Sequence, residues 1–74
     1  MIKNENIMEI FAERLKDLLD ERGMDYQKLS AVTEIPRRTI NSWILKDRSP
    51  RLDSLVILAT FFGVSVDYLL GLED

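Results

Sequence analysis

Apolar residues recur at steps of three and four from Ile7 to Leu70, and glycine or proline interrupts them at Gly23, Pro36, Pro50, Gly63 and Gly71. That spacing belongs to the helix, and no run alternates with period two for long. The punctuation then divides the chain into five short helices. The first runs from about Asn6 to Arg22, where Ile7, Ile10, Phe11, Leu15, Leu18 and Leu19 form one stripe. Gly23 closes it as a residue that accepts positive φ. The second covers about Tyr26 to Val32. Asp25 can cap it, and Met24 and Leu29 have the spacing of a hydrophobic staple. The third runs from Arg37 to about Leu45. Ile35, preceding a proline, is expected to be extended, and Pro36 suits a helix start because its missing N–H needs no partner there. The fourth, Leu52 to Phe62, is apolar nearly all round, so it is expected at the centre of the core. The fifth is short, Val66 to Leu70, capped by Ser65, stapled by Val64 and Leu69, and ended by Gly71.

The chain has 74 residues, enough for one small domain, and 46% of them are hydrophobic, enough for a packed core. It has no cysteine and no histidine. Disulfides, thiol chemistry, the usual neutral-pH acid–base group and the commonest zinc ligand are therefore excluded together. No glycine-rich phosphate loop or metal-ligand cluster appears. The expectation is a non-enzymatic protein with no cofactor and no metal. Carboxylates such as Asp17, Asp20 and Glu21 fall on the polar face of the first helix, as solvated charges do. Met1 to Asn6 lacks the apolar core and cleavage site of a signal peptide, and the apolar stretch from Leu55 to Val64 is about half a membrane span. A soluble, cytoplasmic protein is expected, with an N-terminal arm over residues 1–5 and one domain over 6–74.

The net charge of −3 hides an uneven distribution. Residues 1–34 carry five basic and eight acidic side chains, and residues 53–74 carry four acidic and none basic. Between them, residues 35–52 hold Arg37, Arg38, Lys46, Arg48 and Arg51 against Asp47 alone, a net of +4. Basic charge concentrated on one segment is the footprint sought in a nucleic-acid binder.

Two short helices joined by a tight turn, the second one basic, make a helix-turn-helix. At about 100° per residue, Ile40, Trp43 and Ile44 share one side of the third helix. Arg38, Ser42 and Leu45 lie opposite, flanked by Arg37 and Asn41. Guanidinium pairs with the two acceptors of guanine and carboxamide with adenine, so the outer side carries the groups that read bases in the major groove. Taken singly, each of these residues reads as ordinary solvated surface. Their co-occurrence in one frame supports the functional reading. Trp43, sharing a side with Ile40, is expected in the core.

From Phe11 to Gly71 the chain resembles the phage-repressor (Cro/cI-type, or XRE-type) helix-turn-helix domain. The matching signals are Leu15, Leu18 and Gly23-Met24; Leu29; Ile35, Ile40 and Trp43; and Ser49-Pro50. They continue through Leu52, Leu55, Leu58-Ala59, Phe62-Gly63-Val64-Ser65 and Tyr68-Leu69-Leu70-Gly71. The resemblance implies an all-α bundle of five helices and sequence-specific binding of double-stranded DNA, often as a homodimer, by a transcriptional regulator, usually a repressor. By position it implies base contacts from Arg37, Arg38 and Ser42, to which the wheel adds Asn41. It implies phosphate contacts from the start of the second helix (Tyr26, Gln27) and from the loop after the third (Lys46, Arg48), with Thr39 beside them.

The chain departs from the family at several places. Tyr26 stands where glutamine is frequent and Ser30 where alanine is; Tyr26 either packs inward or donates to a phosphate through its hydroxyl. Glycine is frequent at the positions of Glu34 and Lys46, where positive φ would cost a non-glycine residue roughly 1 kcal/mol. The family commonly pairs arginine with glutamate at the positions of Leu19 and Ile44. Replacing both charges leaves neither buried alone, so Leu19 and Ile44 are expected to touch. Leu45 falls on the outer side, where a thymine methyl or a sugar is a suitable partner. Tyr68, Leu69, Leu70 and Leu72 offer apolar surface for a dimer interface, with Leu69, Leu70 and Leu72 as the candidates; the alternative is that they complete the monomer core, equally for Leu69 and more simply for Tyr68. A protein-interaction module on the same fold, such as an antitoxin, is the competing function, and the acidic ends suit it.

Overall fold

The computed structural model describes residues 4–73, with side chains from Ile7 onward. Five helices follow in order: α1 (Asn4–Arg22), α2 (Tyr26–Thr33), α3 (Arg37–Ile44), α4 (Leu52–Phe62) and α5 (Val66–Leu69). No strand occurs among the described residues. α1 starts two residues earlier than its apolar stripe indicates, so Asn4 and Glu5 of the expected arm are helical, and residues 1–3 lie outside the described part. α3 stops at Ile44, with Leu45 as its cap, and α5 at Leu69. Among the described residues no helix is long and apolar enough to cross a membrane. No group of three or more acidic, histidine or cysteine side chains there could hold a metal ion.

Every helix contributes to one core. Phe11 and Leu15 of α1, Leu29 of α2, Ile40 and Trp43 of α3, Leu58 of α4 and Leu69 of α5 are sealed from solvent almost completely. Two arginines of α1 tie distant elements to it. The Arg22 guanidinium donates to the Phe62 carbonyl at the end of α4 (2.9 Å), where the helix dipole is negative. The Arg14 guanidinium donates to the carbonyls of Tyr68 and Glu73, both at 2.7 Å, and stacks 4.3 Å over the Tyr68 ring. The chain passes so close to α1 at Gly71 that an added Cβ would lie 2.8 Å from the Ile10 side chain, which requires glycine there.

α4 corrects an expectation. Leu55, Leu58, Ala59 and Phe62 face the core, but Leu52, Val56 and Ile57 lie outside it, exposed by 82%, 57% and 39%. A helix can be buried on all sides only where neighbours surround it. In so small a domain the other elements cover one side of α4 and nothing described covers the rest.

Candidate nucleic-acid interface

α2 and α3 are held at their turn by specific bonds. The Asp25 carboxylate caps α2 by accepting from the Lys28 N–H (2.8 Å). At the far end Glu34 adopts φ 63° and its N–H returns to the Ser30 carbonyl (2.9 Å). The Ser30 hydroxyl reaches across the turn to the Ile35 carbonyl (2.6 Å), so serine in place of alanine adds a clasp. Pro36 then sits at the N-cap of α3 with no side-chain cap, as its chemistry dictates.

α3 ends in a Schellman motif: the Lys46 N–H bonds the Trp43 carbonyl (3.0 Å) and the Asp47 N–H the Ser42 carbonyl (2.9 Å). Its left-handed residue is Lys46, at φ 62°. The corresponding positions after α1 and α4 are glycines, Gly23 and Gly63, at φ 62° and 70°. The two positive-φ residues foreseen at Glu34 and Lys46 are thus both present, and both carry charge at a cost in backbone strain.

Within this frame α3 turns Ile40 and Trp43 inward and leaves Arg37, Arg38 and Asn41 exposed. Among the described residues the one ion pair is Arg51 with Asp53, at 3.6 Å on the surface. Arg37, Arg38, Lys46 and Arg48 therefore have no carboxylate partner there. Ser42 is half-buried, and its hydroxyl donates to the Thr39 carbonyl (2.6 Å). With that proton committed, Ser42 offers lone pairs outward and suits the amino group of adenine or cytosine rather than an acceptor.

A polar hollow opens beside α3. Arg38, Thr39, Ser42, Arg48, Ser49, Arg51 and Ser54 surround it, and Trp43 forms its floor. Three arginines together with the hydroxyls of Thr39, Ser49 and Ser54 around one concavity can receive an anion such as a backbone phosphate. α4 begins here after Arg51, whose side chain makes no cap, and the Asp53 carboxylate in its first turn accepts from the Ser54 N–H (2.9 Å). Arg51, Ser49 and Ser54 were not among the site residues expected from sequence. The membership of Arg51 in the basic segment, one residue before a helix, was the available signal.

The remaining candidates lie elsewhere. Tyr26, half-buried, lines a separate hollow with Lys16, Asp20 and Asp25. Gln27 is exposed beside the same Asp25, whose carboxylate already occupies the anion position at the start of α2. Lys46 is exposed in the loop after α3, and Leu45 is exposed by 61% on the outer side. Leu19 is buried and Ile44 half-buried against the same core, and no charge replaces the missing pair. Of the expected dimer residues, Leu69 is fully buried within the monomer and so cannot meet a partner. Leu70 is half-buried and Leu72 is exposed by 66%.

Comparison with known proteins agrees with the helix-turn-helix fold. The chain is similar to an uncharacterized HTH-type transcriptional regulator, YobD, of Bacillus subtilis (strain 168). The two are 34% identical over 65 residues, which is 88% of this chain and 58% of the relative. It also resembles the crystal structure of a transcriptional regulator from Listeria innocua, with a TM-score of 0.75 and 30% identity, over 86% of this chain and 60% of that one. The chain therefore spans less than two thirds of the length of either relative. A family model described as helix-turn-helix matches residues 15–69, from the middle of α1 to the end of α5. The chain belongs to the XRE-type helix-turn-helix family.

Proposed function

We propose that this domain binds double-stranded DNA in a sequence-specific way, inserts the N-terminal part of α3 into the major groove, and represses transcription as a homodimer on a two-fold-related site. The observation that carries the reading is the division of α3 into two sides. Ile40 and Trp43 fix it to the core, while Asn41 projects beside Arg37 and Arg38, whose charges meet no acid among the described residues. Both relatives are named as transcriptional regulators, which supports regulation as the output. Arg37, Arg38 and Asn41 read base edges, Ser42 accepts from a base amino group, and Arg48 and Arg51 hold a phosphate in the hollow beside α3. Thr39 and Lys46 add backbone contacts. Tyr26 and Gln27 reach a second phosphate through their side chains alone, since Asp25 fills the cap position of α2. A cytoplasmic location goes with this role.

The experiment is a selection of bound duplexes from a random pool, followed by titration of the selected sequence. Arg37→Ala or Arg38→Ala costs about 1–3 kcal/mol of binding where the side chain makes a bidentate contact, and relaxes specificity at one position. Unchanged affinity and specificity in both variants would remove the proposed readout. The acidic ends of the chain favour one rival, a protein-interaction module on the same fold. Such a module gives no shift of random duplex at low salt, where a DNA-binding domain still binds non-specifically.

A further inference from the structure

We propose that the indole N–H of Trp43 donates a hydrogen bond to a phosphodiester oxygen of DNA, at the floor of the hollow beside α3. This deepens the reading that the hollow holds a backbone phosphate, and it rests on that reading. Trp43 is 1% exposed and belongs to the core, with Phe11 edge-on to its ring. An indole N–H can only donate, and a buried one ordinarily finds an acceptor. Among the described residues this one finds none. Yet no buried side-chain nitrogen or oxygen there is both sealed from solvent and without a partner. The Trp43 N–H therefore reaches the surface, and the surface that Trp43 borders is the hollow.

The chemistry around that opening selects an acceptor. Arg38, Arg48 and Arg51 donate only, and the Thr39, Ser49 and Ser54 hydroxyls can donate as well. No carboxylate lines the hollow. A group with several lone pairs and a negative charge completes such a set, as a phosphate does. Arg38 and Ser42 lie both on the hollow and on the outer side of α3. The phosphate held there is thus one beside the bases that α3 reads, part of a duplex rather than a free ion.

The two kinds of donor act differently. Arginine brings charge on a long side chain whose position adjusts. The indole is held by the core, so its N–H fixes where the phosphate sits and with it the register of α3 in the groove. A neutral donor releases no counterion, so it adds affinity without adding to the salt dependence.

The test puts benzothiophene in place of the Trp43 indole, which keeps size and apolar character and replaces the N–H by sulfur. Circular dichroism and a urea midpoint check that the substituted chain folds like the unsubstituted one. It should bind a duplex selected from a random pool about tenfold more weakly, as expected for a lost hydrogen bond to a charged group. The slope of log affinity against log salt should stay the same. Methylphosphonates, each removing the charge of one phosphate, are then placed singly along the duplex. At one position the replacement should weaken the unsubstituted chain several-fold more than the benzothiophene chain. Equal affinities of the two chains for the unmodified duplex overturn the proposal, because water alone then satisfies the N–H. A loss coupled to no single phosphate overturns it too. Trp43 is the only tryptophan, so its emission reports the hollow and should change when duplex binds. The same change saturated by inorganic phosphate below about 1 mM would make the free ion the ligand and overturn the duplex assignment. Duplex binding untouched by the sulfur removes the role of Trp43 alone, whereas a chain that binds no duplex even at low salt removes the DNA reading and this proposal together.

Discussion

The Trp43 indole meets the Phe11 ring edge-on, with centroids 5.7 Å apart and planes inclined by 72°. Both side chains are almost wholly buried. The contact joins the middle of α1 to the inner side of α3, so the position of the arginines on the outer side depends on it. Edge-to-face pairs contribute about 0.5–1.5 kcal/mol beyond the area they bury. Phe11→Ala leaves a cavity against the indole and is expected to cost about 3–5 kcal/mol of unfolding free energy, read from the denaturant midpoint. Phe11→Leu, which refills most of the space, should lose markedly less. Equal losses for the two would mean that the ring is not the anchor.

Glu34 and Lys46 occupy left-handed backbone conformations at φ 63° and 62°. Glycine at either site relieves the steric cost of a Cβ there. Glu34→Gly and Lys46→Gly are each expected to raise stability by roughly 1 kcal/mol, and the two effects to add because the sites terminate different helices. DNA affinity separates them. Only Lys46→Gly also removes a charge from the proposed interface, so it should gain stability while losing affinity, and Glu34→Gly should gain stability alone. Thermal melts and duplex titrations of the same samples measure both.

These two positions also show what can be read from sequence and what cannot. Capping chemistry is local, so Asp25, Ser65 and the glycines mark helix ends wherever the rest of the chain lies. Both expected caps are present, the Lys28 N–H donating to the Asp25 carboxylate and the Tyr68 N–H to the Ser65 hydroxyl. The start of α1 was missed because Asn4, Glu5 and Asn6 add nothing to an apolar stripe. The outward side of α4 was missed for a different reason. Periodicity tells which residues share a face but not whether another element covers it, so Leu52, Val56 and Leu58 read alike until neighbours are known. The same limit hid Arg51. Its place in the hollow comes from α3 and α4 meeting, which no spacing within either segment encodes.

The apolar replacements at Leu19 and Ile44 predict a thermodynamic cycle. Leu19 is 2% exposed, so Leu19→Arg alone places a charge in the core without a partner. A cost of about 3–5 kcal/mol is expected, as for a broken buried ion pair. Adding Ile44→Glu supplies the partner and should recover a substantial part of the loss. Unfolding curves of the parent, both single variants and the double variant give the coupling energy. A coupling near zero would mean that the two side chains are not in contact.

Salt dependence tests the hollow beside α3 separately from base reading. Each phosphate contact releases condensed counterions, so log affinity falls with log salt at a slope of about −0.9 per neutralised phosphate. Arg48→Ala and Arg51→Ala are expected to weaken binding about equally on all duplexes and to make the slope shallower by about 1 each. Among the described residues Arg48 has no acid to release, while Arg51 must leave Asp53 before it engages a phosphate, so Arg48→Ala should show the larger loss of affinity. Asp53→Asn frees Arg51 and should therefore strengthen binding modestly at low salt, an effect that fades as salt screens the surface. Titrations of one duplex across a range of salt concentrations distinguish these cases. A slope unchanged by both arginine substitutions would place the phosphates elsewhere on the domain.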